Sequence, residues 1–425
     1  MKKALATILA LVMAIGLCSV SWATPPVNSA AALKTAVETG GEITLDEDIE
    51  ISETISVSKS VTINLNGKTI TGKSGEAGRR VFNVVAGGSL TLTGSGTITT
   101  ASNNDGTFPD NSSVIRVGDN TNGAACGLVV GKDVKIIAPA SYGIAVFGKN
   151  TKQTLEVSGT VTAKEASAIS GNGGHSYTAT EITINDGANI TSENNVAVYH
   201  PQAGTLTVKA ATITGRGGIE IKSGTASVAV AGANIKATGS VEHPGNNDGT
   251  SSRGYAIAVV ENPGYKGAPS AVIQNGNFVG AMGILTDGEV SEEEKQGSLA
   301  IYAGSFTVNV NDYVTDNIPV ASNNGTYYVG ANTIQNAANN LSAGQQLTVV
   351  QGTVDINGIE YSADGNTTYT KPSSGGYYYY YPPTDTKADD TKGSPKTFDA
   401  GVGIYAVTAV LSVTGMAWTA KKRGN

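Results

Sequence analysis

The chain has 425 residues, 54 of them glycine, with 28 Lys plus Arg against 35 Asp plus Glu and a net charge of −7. That balance, without a basic patch, argues against nucleic acid as a partner. Two cysteines are too few for a disulfide framework, and neither a Cys/His metal spacing nor a phosphate-binding glycine loop occurs.

The first element is MKKALATILALVMAIGLCSVSWA. Lys2 and Lys3 precede an apolar run from Ala4 to about Leu17, and Ser21-Trp22-Ala23 offers a cleavage site, the layout of a secretory signal over residues 1–23. Leu17 before Cys18 speaks against a lipoprotein signal. The mature chain is then expected to be exported with Cys126 as its one cysteine, so packing rather than cross-linking by disulfides must hold it. Residues 24–40 are predicted as an N-terminal cap. Leu33, Ala36 and Val37 share a helical face, and Gly40-Gly41 ends the helix.

Residues 41–330 are built from short alternating runs bounded by Gly, Asn or Asp, such as TLEVSGTVTA, EITINDGANITS and TLTVKAATITG. A second type of run follows most of them: SVIRVGD, YGIAVFG, NNVAVYH, GGIEIKS and YAIAVVE. Copies recur every 22 to 27 residues or so, the mark of a solenoid. Three strands per repeat with no intervening helix predict a parallel β-helix. In this pattern, rather than in any specific motif, the region resembles the pectin-lyase-like superfamily. That resemblance implies an all-β, right-handed parallel β-helix.

Polygalacturonase-type hydrolases of that superfamily carry an Asp-Asp pair, a Gly-His-Gly and an Arg-Ile-Lys. Here Gly173-Gly174-His175 and Glu220-Ile221-Lys222 stand in that order, but the sole Asp-Asp is Asp389-Asp390, outside the coils. Glycoside hydrolysis needs two positioned carboxylates. The acids of the coils (Asp119, Glu156, Asp186, Glu220, Glu261 and Asp287) are scattered, without the cluster a calcium-dependent lyase requires. No catalytic residue, metal or cofactor is therefore expected.

A binding face is the better expectation. With Ile115, Ile144, Val196, Ile219 and Ile257 stacked inward, one outward column reads Arg116, Ala145, Ser170, Ala197, Glu220, Ala258. The next reads Gly118, Phe147, Asn172, Tyr199, Lys222, Val260. Phe147 and Tyr199 beside His200, Arg216, Glu220 and Lys222 make a candidate shallow glycan-binding face, aromatics stacking on sugar rings and charges bonding hydroxyls. The alternative is a solvated sheet face in which Glu220 pairs with Lys222 or Arg216. The pentapeptide NNDGT occurs at residues 103–107 and 246–250, both in the connection before a third strand. Five coil steps of about 4.8 Å place the copies about 24 Å apart. They cannot share one metal ion. Asn-Asp-Gly is first of all turn chemistry; Asp105 and Asp248 are the loop residues that would touch a ligand under the second reading.

Residues 331–370 are predicted as a C-terminal cap or small module, because Ile334, Ala337, Ala338 and Leu341 fall at helical spacing before LTVVQGTVDING. Residues 371–393 (rich in Gly, Tyr and Pro, with Tyr377 to Tyr381 in a row) read as a linker. The last segment holds Ser394-Pro395-Lys396-Thr397-Phe398, an uncharged stretch at 400–420 and Lys421-Lys422-Arg423. Twenty-one helical residues span about 32 Å, enough to cross a bilayer. This order resembles the LPXTG class of cell-wall sorting signals of Gram-positive surface proteins, with Ser394 and Phe398 in place of the usual Leu and Gly. The resemblance implies cleavage by a sortase after Thr397, attachment to peptidoglycan and transient membrane anchorage through 400–420. The expected protein is therefore a cell-surface, non-catalytic adhesin or carbohydrate-binding solenoid meeting an extracellular glycan or host ligand. A polysaccharide lyase or glycoside hydrolase on the same scaffold and a passive stalk are the alternatives.

Overall fold

Branched aliphatic residues alternate with Thr, Ser and Asn along five-residue runs, so each run presents one apolar and one polar face. In the computed structural model these runs stack as three rows of parallel strands wound into a solenoid. The described residues are 26–73, 79–101, 112–118, 124–147, 151–171, 180–222, 226–246, 249–265, 268–290 and 296–373. Among them the fold is a parallel β-helix with two short α-helices.

The inward ladders are continuous. In the first row Val61, Leu90, Leu128, Leu155, Ile182 and Leu206 lie in register. The second row stacks Ile70, Ile98, Ile136, Val161, Ile190, Ile213 and Ile235. All but Leu128, Ile182, Val61 and Ile235 among these are wholly inaccessible, and those four expose no more than 3 %. Phe278 and Phe306 continue the second row, their rings stacked 4.9 Å apart. The third row is a nine-stranded parallel sheet from Ile55–Val57 to Ala281–Thr286. Equivalent side chains meet at each step, so every coil buries its apolar face against its neighbours.

Where the coils turn, backbone approaches backbone closely. At Gly204 φ is 131°, and an added Cβ would lie 2.0 Å from the carbonyl oxygen of Thr180 on the preceding coil. Gly204→Ala should lower the unfolding free energy by more than about 1 kcal/mol, read as a shift of the urea midpoint. An unshifted midpoint would show that this corner yields easily.

Both ends of the solenoid are covered. Helix α1, Ala30–Thr39, is capped by Ser29 Oγ accepting from the Ala32 amide at 3.3 Å, and it ends at Gly40 with φ 85°. It buries Leu33 and Val37 against the first coil. At the other end parallel pairing stops. The hairpin of Val320–Asn323 and Thr326–Val329 turns on Asn324 and Gly325, both with positive φ. It pairs antiparallel to Gly304–Phe306 on one side and to Gln346–Gln351 on the other. Helix α2, Ala331–Asn340, packs Ile334 and Ala338 into a second, smaller core with Leu347, Val349 and Tyr361. The Ala321-Ser322-Asn323-Asn324 stretch is thus strand and turn, and it shields an open sheet edge.

Among the described residues no helix is long and apolar enough to cross a membrane. Residues 1–23, 394–398 and 400–420 lie outside them.

Candidate functional site

The third row sets the geometry, and its register differs from the expected one at a single coil. Ile169 pairs with Val198, not Val196, and Val198 pairs with Ile219. Tyr199 therefore joins the column of Arg116, Ala145, Ser170 and Glu220, while His200 falls in register with the core residue Ile221. His200 is thus an inward residue and is removed from the proposed face. It is 1 % exposed, and burial holds its imidazole down to about 4 against the opposing effect of a hydrogen bond with the Gly204 backbone. Among the described residues its Nε2 has no hydrogen-bond partner.

The expected open face is closed. Phe147 is 2 % exposed and lies beneath the Arg116 guanidinium, 4.2 Å from its ring centroid. Tyr199 is 4 % exposed, its hydroxyl 3.4 Å from that of Tyr265. Arg216 is half-buried, and its carbonyl accepts the amides of Gly239 and Gly254 at the base of an insertion. Glu220 and Lys222 are wholly inaccessible. The connection between the strands Ala226–Ala237 and Tyr255–Glu261 lies over them. Asp105 and Asp248 lie outside the described residues, but Asn246, Gly249 and Thr250 are placed.

The cluster beneath this insertion is built around Lys222. Its Nζ donates to the carbonyls of Asn246 (2.8 Å) and Gly249 (2.6 Å), and Ser251 Oγ lies at 3.3 Å. Asp287 Oδ2 is 2.7 Å away, and Glu220 Oε1 is 3.9 Å away. Glu220 accepts from the amides of Ser251 and Ser252 at 2.9–3.0 Å and from the Ser252 hydroxyl at 2.6 Å. Asp287 Oδ1 contacts His243 Nε2 at 2.7 Å, and Oδ2 accepts from Asn262 Nδ2 at 3.2 Å. Burial pushes the Glu220 carboxyl above the usual carboxylate range, opposed by the Lys222 charge and the serine hydrogen bonds. Burial acts the same way on Asp287, but the hydrogen bond and charge of Lys222 outweigh it, with Ser251 and His243 adding, and hold it low.

Asn246 and Gly249 of the second copy present their carbonyls to the buried ammonium, which ties the insertion to the sheet. The sequence reading found Glu220 and Lys222 but missed His243, Ser251, Ser252, Asn262, Tyr265 and Asp287. The available signal was a long insertion between Ala226–Ala237 and Tyr255–Glu261, one strand after two charges at alternate positions, Glu220 and Lys222. Among the described residues no group of three or more His, Cys, Asp or Glu could hold a metal ion. Cys126 is buried and forms no disulfide among the described residues.

An open site lies elsewhere. A cleft of about 500 Å³ runs between the last coils and helix α2, and none of its thirteen lining residues is charged. Six are asparagines: Asn275, Asn277, Asn323, Asn332, Asn336 and Asn340. Tyr328 and Gln345 complete the polar wall. Asn277 is held by Asn234 (2.7 Å) and Ser305 (2.5 Å), and Asn323 by the Gln346 carbonyl. The Asn332 and Asn336 side chains, both exposed on α2, have no hydrogen-bond partner among the described residues. No protein family, curated protein or solved structure matches the chain.

Proposed function

We propose that the protein is a non-catalytic carbohydrate-binding solenoid displayed on the cell surface. The observation that carries this reading is the uncharged, amide-lined cleft beside α2. A primary amide offers two donors and an acceptor on one planar group, the complement of vicinal sugar hydroxyls. Tyr328 adds an aromatic surface with a polar edge. A wall without charge suits neutral sugars and gives uronates or sulfated chains no counter-ion. Hydrolysis has no support there, because the cleft contains no carboxylate, and Glu220 and Asp287 are enclosed beneath the insertion.

Display at the surface rests on the two chain ends: the signal-like residues 1–23 and the Ser394-Pro395-Lys396-Thr397-Phe398 motif with its apolar stretch and basic tail. A sortase and peptidoglycan are the partners this order implies, and 371–393 would act as the spacer.

Binding of the secreted protein to an array of immobilised neutral and acidic oligosaccharides tests the proposal. Neutral glycans should be retained and acidic ones not. Asn336→Ala should weaken binding by about 1 kcal/mol, a fivefold or so loss in affinity, and Tyr328→Ala by at least as much. Retention of uronates alone, or binding indifferent to both substitutions, would sink the cleft as the site.

A further inference from the structure

The strands Ala226–Ala237 and Ser270–Val279 pair in parallel, but their register shifts at a corner where Ala231 stands opposite Asn275 and Ala233 opposite Gly276. There the Gly276 amide donates to the side-chain oxygen of the residue before it, Asn275 Oδ1, at 2.8 Å. Asn275 is exposed and lines the cleft beside α2. Gly276 has φ 145°, and an added Cβ would lie 2.6 Å from the Ala233 carbonyl oxygen, so the corner demands a residue without a side chain. The backbone nitrogen is thus held against a carboxamide with nothing to screen it. The torsion that turns the carboxamide is the soft terminal χ2 of asparagine, and a nucleophile held against its target escapes the entropic cost of encounter. We propose that Asn275 is a site of spontaneous deamidation, in which the Gly276 nitrogen closes a succinimide on Asn275 Cγ and water reopens it as aspartate or isoaspartate.

Solvent hydroxide takes the Gly276 N–H proton as the nitrogen bonds to Cγ. The carboxamide C–N bond then breaks, and Nδ2 departs as ammonia with a proton from water, leaving a five-membered imide. Water adds to one of its two carbonyls. Addition at Cγ breaks the new bond and gives aspartate; addition at the backbone carbonyl carbon breaks the original peptide bond and gives isoaspartate, with the chain routed through Cβ. The sum is one water consumed and one ammonia released, with no change of oxidation state.

Two other Asn-Gly pairs among the described residues are held off this course. The Gly67 amide donates to the Ser95 carbonyl at 2.6 Å, and Asn66 Nδ2 donates to the Leu45 carbonyl at 3.0 Å. The Gly358 amide donates to Asp355 Oδ1 at 2.9 Å, and Asn357 Nδ2 lies 3.3 Å from the Tyr369 hydroxyl. At Asn195 the following amide does meet the side-chain oxygen, at 2.8 Å, but it belongs to Val196, whose branched Cβ crowds ring closure. Deamidation at Asn275 puts a carboxylate into a cleft with no charged lining residue. On the reading of that cleft as a glycan site this is a change of its lining with age; the modification itself stands without that reading.

The test is to age the full secreted chain in mildly alkaline buffer, digest samples with trypsin and follow the peptides 267–295 and 60–68, which carry Asn275 and Asn66, by mass spectrometry. The first should gain the mass of an amide-to-acid change, with fragmentation placing both aspartate and isoaspartate at 275. In the native chain Asn275 should convert at least about tenfold faster than Asn66, which is about 1.4 kcal/mol of barrier. In concentrated urea, where both lose their native contacts, the two rates should converge. Asn275→Gln, whose side chain is too long to close the five-membered ring, should leave 267–295 unchanged. An Asn275 that stays an amide, or converts no faster than Asn66 in the native chain, would overturn the proposal. Aspartate without isoaspartate would overturn the succinimide route.

Discussion

Lys222→Met should lower the unfolding free energy by about 3–5 kcal/mol, the usual consequence of removing one partner from a buried charged group. Methionine fills much of the same space, so loss of packing volume is a minor part of the effect. What remains is two carboxyl groups, Glu220 and Asp287, both 0 % exposed and without the Lys222 ammonium, a Gly249 carbonyl that has lost that donor, and an Asn246 carbonyl left with only the Asn262 amide. The contrast with an exposed pair is instructive. Lys73 and Glu50 meet at 2.6 Å, but their side chains are 63 % and 62 % exposed, and a pair of that kind contributes about 1 kcal/mol at most. Urea denaturation of wild type, Lys222→Met and Lys73→Met separates the cases. A drop below about 1 kcal/mol at Lys222 would mean that the insertion does not shield the cluster in solution. Limited proteolysis should also cut the connection before the strand Tyr255–Glu261 faster in Lys222→Met than in wild type, since the ammonium holds the carbonyls of Asn246 and Gly249.

Stability should also fall as the medium is acidified from about pH 6.5 to about pH 4, through His200. Its ordinary value of 6.5 is depressed to about 4 in the folded chain, so within that window the unfolded state binds a proton that the folded state refuses. Stability is therefore complete above the ordinary value and declines as pH drops towards the depressed one, by about 1.4 kcal/mol per pH unit and about 3 kcal/mol in all. Glu220, held above its usual range, pulls the other way, and Asp287, held low, acts only at lower pH. The comparison must therefore be made against His200→Leu, which removes the imidazole and leaves both carboxyls. Unfolding free energy plotted against pH should be flatter for the variant. Parallel curves would show that the imidazole reaches water despite its place in the ladder.

Much of this architecture was legible because stacking imposes a period. Aliphatic residues recur at matched positions over many coils, and no other regular structure produces three short strands every 22 to 27 residues or so. The register slip at Val196–His200 marks the limit of that signal. Val196 and Val198 are both aliphatic, and a shift of two residues preserves the in-and-out alternation, so pattern alone cannot choose between them. The same alternation did contain the placement of His200, which shares its parity with Val198. Exposure was not legible at all. Alternation says which side of a strand a residue occupies, but not what lies over that side. At Glu220 and Lys222 the cover comes from an aperiodic insertion, and Asp287 arrives from a coil two steps further on. The cleft escaped for a related reason: its asparagines come from the last coils, a hairpin strand and a helix that share no repeat.

The reversal of strand direction at Val320–Asn323 has a consequence for how such a rod can change in length. A terminal coil that ended in parallel strands would offer a template to the next polypeptide; this hairpin and helix α1 blunt both extremities, so growth by end-on addition is barred. The interior is under no such restriction, since each turn touches only the turns on either side. A duplicated segment spliced into the middle would lengthen the shaft and set helix α1 further from the cleft beside α2, with both lids undisturbed.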